Sequence, residues 1–335
     1  VKEEKEIQMA HNVETMAYAG QVPWHGLGTK VDSNLSPEEM LKAAKLDWTV
    51  EKKQLWVSMG GGVDEDALLN SHSALVRSSD QSILGICGKD YNPSQNHDVF
   101  EFFDRFCRAG DMTMETAGSL QEGRRVWGLA KIKGGFRVNG GDEVEGYMLL
   151  DNPHIWGRSL QIMFTPVRVV CNNTLTQALN GADVNSTFRM THDRLFTDIV
   201  KKEAEEKVGL ATAALEVFKE QSKFLASKRY EDQALMRFFS RVMNPQAQLA
   251  ANEELNPAEL GRTVNKLIEL VDTQPGADMK TSKGTWWGAF NAVTYYYDHV
   301  AGTDRDKALT SAWFGAAANR KRQALDLAVE YAEAA

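Results

Sequence analysis

The sequence predicts an α+β fold, with a mainly antiparallel N-terminal sheet, flanking helices and a C-terminal helical domain. One change of texture and two turn signals carry that reading. From Trp48 to Cys171, short β-branched and aromatic segments alternate with Gly, Asn, Asp and Ser clusters. From about His192 onward Ala, Leu, Glu, Lys and Gln dominate, and apolar residues recur three and four apart. Ser79-Asp80-Gln81 and Asn139-Gly140-Gly141-Asp142 each separate two apolar runs, as hairpin turns do. The expected layout is an N-terminal arm over residues 1–34, an α+β core over 35–190 and a helical domain over 191–335.

Taken in order, Ser36-Pro37-Glu38-Glu39 opens the first helix. Ser36 can cap it, Pro37 suits the first turn and Glu39 can close a capping box. Trp48 to Val57 reads as strand. Ser73–Ser78 and Ser82–Gly88 form the two arms of a hairpin. Asn96 to Arg108 predicts a helix with Val99, Phe103 and Phe106 on one side. Arg124–Lys133, Val144–Leu150 and Leu160–Val170 predict strands, with a turn at Asn152-Pro153-His154. In the second half, Val208, Ala211, Leu215, Phe218, Ser222 and Leu225 make a seam for a partner helix. Asn256-Pro257-Ala258-Glu259 predicts a capped helix carrying Leu260, Val264, Leu267, Ile268 and Val271. Pro275-Gly276 breaks the chain before helical segments at Trp286–Val300 and Ala312–Ala332. The first of these is apolar all round, so it calls for burial in a bundle or at a subunit interface.

Composition narrows the function classes. At 335 residues, with 43% hydrophobic and 25% charged residues, the chain is an ordinary folded protein of one or two domains. No apolar run reaches the ~20 residues of a membrane helix. A formal charge of −8 excludes a globally basic nucleic-acid binder but leaves room for a local basic face. Cys87, Cys107 and Cys171 are odd in number and widely spaced, against a disulfide scaffold or a cysteine-rich zinc site. The start, Val1-Lys2-Glu3-Glu4, has neither a signal-peptide core nor an initiator Met. A cytoplasmic location is expected, and the numbered chain could begin inside the natural one.

Catalytic motifs are thin. No Walker loop occurs, and Gly26-Leu27-Gly28-Thr29-Lys30 lacks the third glycine of a dinucleotide fingerprint. The seven histidines are scattered, without H-x-x-x-H or H-E-x-x-H. His299 beside aromatic residues reads as packing, and Cys171 in Val169-Val170-Cys171 reads as a buried thiol. No catalytic residue, metal ligand or cofactor is expected; a non-enzyme is the preferred reading, and an enzyme stays open.

Positive charge is local. Between Leu120 and Arg137 stand Arg124, Arg125, Lys131, Lys133 and Arg137 against one acid, Glu122. Arg158 precedes the next strand and Arg168 lies in it, on the face opposite Val167 and Val169. Arg124, Arg125, Lys131, Lys133, Arg158 and Arg168 are the candidate nucleic-acid-binding residues, able to follow a phosphate backbone. The same residues could instead form a solvated sheet face or pair with Glu143 and Glu145. Trp56, Tyr91, Trp127, Tyr147 and Trp156 lie near that charge in sequence. They suit either base stacking or a core.

Several strings together resemble a known family. They are Pro23-Trp24-His25-Gly26-Leu27-Gly28, Tyr91 to Asn96, Ala117-Gly118-Ser119-Leu120 and Gly123-Arg124-Arg125-Val126-Trp127. Phe164-Thr165-Pro166-Val167-Arg168-Val169-Val170-Cys171-Asn172-Asn173-Thr174-Leu175 is the most specific. Asn291-Ala292-Val293-Thr294, Asp298-His299 and Ser311-Ala312-Trp313-Phe314-Gly315 complete the set. From about Met9 to Leu327 the chain resembles the phage/plasmid-like family associated with lateral gene transfer, a domain family of unknown function. The resemblance implies a phage or other mobile element as the source and assigns no residue a role. The order of helix, hairpins and a strand running into a helix at Asn172–Leu179 also resembles the phage single-strand annealing proteins of the Redβ, RecT and Erf kind. That likeness implies ATP-independent binding and annealing of single-stranded DNA in recombination, by a homo-oligomer with no membrane partner. The alternatives are a non-enzymatic, oligomeric assembly protein of the phage or plasmid and an enzyme on nucleic acid or nucleotides.

Overall fold

Where a strand is apolar on both faces it must be covered on both, and that requirement places the centre of the sheet. The computed structural model describes residues 13–20, 28–60, 67–139, 141–168, 173–174, 187–190, 198–246, 254–302 and 311–335. The chain divides into two compact units that interleave in sequence. One takes residues 1–133, 148–163 and 185–211, and the other 134–147, 164–184 and 212–335. The strands are β1 (Val13–Tyr18), β2 (Thr29–Lys30), β3 (Val50–Val57), β4 (Ala67–Arg77), β5 (Ile83–Gly88), β6 (Met112–Leu120), β7 (Arg125–Ile132), β8 (Phe136–Val138), β9 (Asp142–Pro153), β10 (Leu160–Arg168), β11 (Asn173–Thr174) and β12 (Thr187–Met190). Strands β9 and β10 contribute residues to both units.

In the first unit the larger sheet runs β12–β10–β9–β7–β6–β1–β2. The β1–β6, β6–β7 and β10–β12 pairs are antiparallel, and β2 joins β1 in parallel. The hairpin β4–β5 and the strand β3 form a separate antiparallel sheet in the order β3–β4–β5. Its turn is closed as the sequence predicts: Asp80 accepts from the Ser82 amide at 3.1 Å, and Gln81 takes a left-handed φ of +59°. Helix α1 (Pro37–Ala43) carries the predicted capping box, with Glu39 N–H on Ser36 Oγ and Ser36 N–H on Glu39 Oε2 at 2.8 Å. Helix α2 (Asn96–Ala109) buries Val99, Phe100, Phe103 and Phe106. Gly128 of β7 leaves room for it, since a Cβ there would meet the Phe100 ring at 3.4 Å.

The second unit holds β8 on the start of β9, β11 on the end of β10, and the helices. These are α3 (Asp198–Ser227, from Thr212), α4 (Asp232–Met243), α5 (Arg262–Thr273), α6 (Trp286–Tyr295) and α7 (Ala316–Glu333). A π-helical turn, Tyr296–Val300, prolongs α6. Trp286 packs on Phe238, Tyr331 and Tyr230 with ring centroids 5.4–5.9 Å apart, and Trp287 lies 6.1 Å from Phe218. Lys321 and Asp298 form a buried ion pair at 2.6 Å.

The mixed α+β class and the order of its elements match the sequence reading, and several boundaries do not. Val13–Tyr18, placed in the N-terminal arm, is a sheet strand beside β6. Asn152 and Pro153 end β9 rather than turn the chain, because the Asn152 amide and the His154 N–H both find buried carbonyls. Asn256 caps only a 3₁₀ turn, Pro257–Glu259, and α5 begins afresh at Arg262. The seam residues Leu215, Phe218, Ser222 and Leu225, and all of α6 from Trp286 to Thr294, are covered within their own unit. The side chains of Val208 and Ala211, the first two seam residues, lie outside the described residues. The helix expected after Asn172 lies outside the described residues, apart from the short β11.

Candidate nucleic-acid interface

The basic strip predicted from the sequence is divided by the fold. Arg125 is not on a solvent-facing track. It lies on β7, whose two faces are both covered, and Asp151 of the neighbouring β9 takes it in a two-pronged pair at 2.7 and 2.9 Å. Both side chains are buried, so the guanidinium has a carboxylate in place of a phosphate. Burial pushes the Asp151 carboxyl up to about 6, against the opposing pull of Arg125. Arg124 is exposed, 4.0 Å from Glu122, and Lys133 holds Asp111 at 2.5 Å in solvent. Lys131 is half-buried. Arg168 ends β10, and its side chain lies outside the described residues. Arg158 is exposed on a turn of a different kind.

That turn links β9 to β10. Arg158 N–H bonds the Ile155 carbonyl at 3.1 Å, and Gly157, third in the turn, has φ +80°. A positive φ at that position is the signature of a type II turn, which glycine fills without strain. Trp156 occupies its first corner and is 56% exposed. The indole does not float free. Its Cζ2, Cε2 and Nε1 atoms lie 3.4–3.9 Å from where a Cβ on Gly88 would stand, and its ring meets His72 edge-on at 5.7 Å.

An open groove of about 830 Å³ runs along this ring. Arg158, Lys89 and His72 line it with cationic or protonatable groups, Asp90 with one acid, and Asn70, Ser71 and Ser159 with short polar groups. Lys52 of β3 fixes the loop on one side by donating to the Lys89 and Tyr91 carbonyls, the latter at 2.9 Å. The Tyr91 ring forms a buried flank, and burial raises its phenol above the usual range.

Beneath the turn a buried polar cluster sets its position. His154 Nε2 and Asn152 Nδ2 meet Asn96 Oδ1 at 2.9 and 3.1 Å, and Asn96 Nδ2 donates to the Leu46 carbonyl at 3.0 Å. Trp48 stacks beside His154 at 5.3 Å. The preceding residue, Gln95, pairs with both backbone groups of Val50 at 2.9 and 3.0 Å, as a strand neighbour would. Thus the Tyr91–Asn96 segment anchors α2, β3 and the Trp156 turn to one another.

Other polar clusters are self-contained. Arg77 is spent on Glu14 at 2.7 Å and on Asp80 at 2.6 and 2.9 Å, with Trp48 under its guanidinium. Cys87 and Cys107 are buried and unpaired, and burial pushes the Cys107 thiol up to about 12, far from a nucleophile. Among the described residues no cluster of His, Cys, Asp or Glu could hold a metal ion, and no helix is long and apolar enough to cross a membrane.

Of the five aromatic residues weighed for stacking, Trp127, Tyr147 and Tyr91 are core, whereas Trp56 and Trp156 are exposed. Sequence reasoning missed His72 and Lys89, which no spacing links to Trp156. The legible signal was Ile155-Trp156-Gly157-Arg158, an aromatic and a cation flanking a turn glycine.

Residues 83–325 match the protein family described as "Domain of unknown function (DUF932)", well over half of the chain. The chain therefore belongs to the DUF932 family. No curated protein and no solved structure matches it. The DUF932 match takes in β5, the Lys89–Tyr91 loop, the Trp156 turn and the helices from α2 to α6, and leaves out β3 and β4 with His72.

Proposed function

We propose that this DUF932 protein binds single-stranded nucleic acid without ATP, as an annealing or strand-protecting factor of a phage or other mobile element. One observation carries the reading: a half-exposed tryptophan lines the same open groove as an exposed arginine and an exposed lysine. Single-strand binders need that pairing of groups, because bases stack while phosphates seek charge. The sequence resemblance to mobile-element proteins supports the setting. The basic contribution passes from Arg125 to Arg158 and Lys89, with Arg124 as an exposed neighbour in sequence to the buried pair.

The test is oligonucleotide binding at two salt concentrations, followed by annealing of complementary strands without ATP. Each phosphate contact adds about 0.7 to the slope of log affinity against log salt for a single strand. Replacing Arg158 and Lys89 together with alanine lowers that slope by about 1 to 1.5. Absence of binding at low salt overturns the proposal.

A second reading, a non-enzymatic assembly protein, is favoured by the three-stranded sheet. It leaves Trp56, Met59, Ile83 and Ile86 each more than half exposed around β3 and β5. Under that reading Ile83→Asp with Ile86→Asp converts an oligomer into monomers in sedimentation, without touching the groove.

A further inference from the structure

We infer that Trp156 is a stacking platform for one unpaired base, and that it makes the groove selective for single strands over duplexes without reading sequence. The inference rests on the proposed single-strand binding and assigns the base-binding half of that site.

The indole of Trp156 is packed in part and open in part. One side is seated: Cζ2, Cε2 and Nε1 lie against the Gly88 position of β5, and the His72 ring braces the edge at 84°. With 56% of the residue exposed and the ring on the groove wall, part of the indole surface stays open to a ligand. Trp48, Trp127, Trp286 and Trp287, by contrast, are all buried, so the chain does find cover for large rings where the fold is their purpose. A rigid ring held from behind and open in front loses little entropy when a flat partner settles on it.

The partner's chemistry follows from the rim. Arg158 follows Trp156 by two residues on a hydrogen-bonded turn, and Lys89 follows the glycine on which the indole rests. A ligand lying on the ring therefore meets two cations, against the single acid Asp90, in the lining of the same groove, and an anionic linkage beside each flat group suits it. A polynucleotide supplies that repeat. The short polar groups on the rim, Ser71, Ser159 and Asn70, can each donate and accept, so they do not distinguish one base edge from another. In a duplex both faces of a base are covered by its neighbours, and no free face reaches the indole.

The experiment measures anisotropy of a labelled oligothymidylate, and of an abasic strand of equal length, with the full chain. Wild type, Trp156→Ala, Trp156→Phe and, as a control ring, Trp56→Ala are compared at two salt concentrations. Loss of one stacked base weakens oligothymidylate binding by about 5- to 150-fold in Trp156→Ala. The salt slope stays unchanged, because no phosphate contact is lost. Trp156→Phe recovers most of the affinity, Trp56→Ala matches wild type, and the abasic strand is bound equally by wild type and Trp156→Ala. Equal oligothymidylate binding by wild type and Trp156→Ala overturns the inference while the single-strand reading stands. So does an equal loss on both strands, which marks Trp156 as a structural prop. If wild type binds neither strand, the functional reading fails and the platform with it.

Discussion

Replacing Arg125 with alanine separates a structural arginine from a phosphate-binding one. The guanidinium and the Asp151 carboxylate are both buried and meet through two hydrogen bonds, so removing one partner leaves a charge in a place that water does not reach. Breaking such a pair costs about 3–5 kcal/mol, about two to three and a half decades in the folding equilibrium. Replacing both partners with apolar residues of similar size, Arg125→Met with Asp151→Leu, is close to neutral or stabilising. Urea unfolding measures both: the single variant moves the midpoint down at an unchanged m value, and the double variant returns it.

The pH dependence adds a sign. Asp151 holds its proton to about pH 6 in the folded chain, against 3.8 when free. A raised folded value means that this group favours folding below pH 3.8 and loses that contribution as pH rises through 6. Without Arg125 the lone carboxyl holds its proton to still higher pH. The Arg125→Ala defect therefore shrinks on acidification, by at most about 1.4 kcal/mol per pH unit for one proton. An Arg125→Ala protein as stable as wild type, with a reduced salt slope for oligonucleotide binding, would falsify the assignment and restore Arg125 to the phosphate track.

Three further outcomes follow from close contacts elsewhere. Gly157→Ala forces an alanine to φ +80° and lowers stability by about 1–2 kcal/mol in thermal unfolding, weakening oligonucleotide binding through the displaced Trp156 turn; an unchanged melting curve contradicts the type II turn. Gly118→Ala puts a Cβ 2.5 Å from the Thr15 carbonyl oxygen, so β1 and β6 must part, and about 1–3 kcal/mol is lost in urea titration. Lys321→Ala takes the buried cation from beside Asp298 in the helical unit and costs about 3–5 kcal/mol, whereas Lys321→Met with Asp298→Leu regains most of it; equal midpoints for the two variants refute a buried ion pair.

What the sequence disclosed depended on whether the deciding partner was near in the chain. The Ser36 capping box and the Asp80 turn are closed by residues two and three positions away, and both were legible. Arg125 was misread because its fate hangs on Asp151, 26 residues on, and on coverage of both faces of β7. The apolar surround of α6 was read correctly as a demand for burial, but the rings that answer it, Phe238, Phe218 and Tyr331, belong to the same chain. Local composition states how much surface must be covered and is silent on what covers it.

The same limit explains why only the Trp156 and Arg158 half of the groove was legible and why the groove is the stronger candidate. An arginine in a sheet strand is ambiguous, because alternation sends it either to solvent or into a covered face where an acid must meet it. A turn removes the ambiguity. With Gly157 at φ +80° and the Ile155–Arg158 bond closed, both flanking residues, Trp156 and Arg158, stay exposed. The turn in turn needs a firm base, which the Asn96, Asn152 and His154 cluster provides from α2 and β9. Buried polar groups bonded to one another are costly to rearrange, so they hold the turn in one position. The ring packs on Gly88 and His72 with more than half of the residue still exposed, and that open surface near an exposed cation suits a ligand that is flat and anionic by turns.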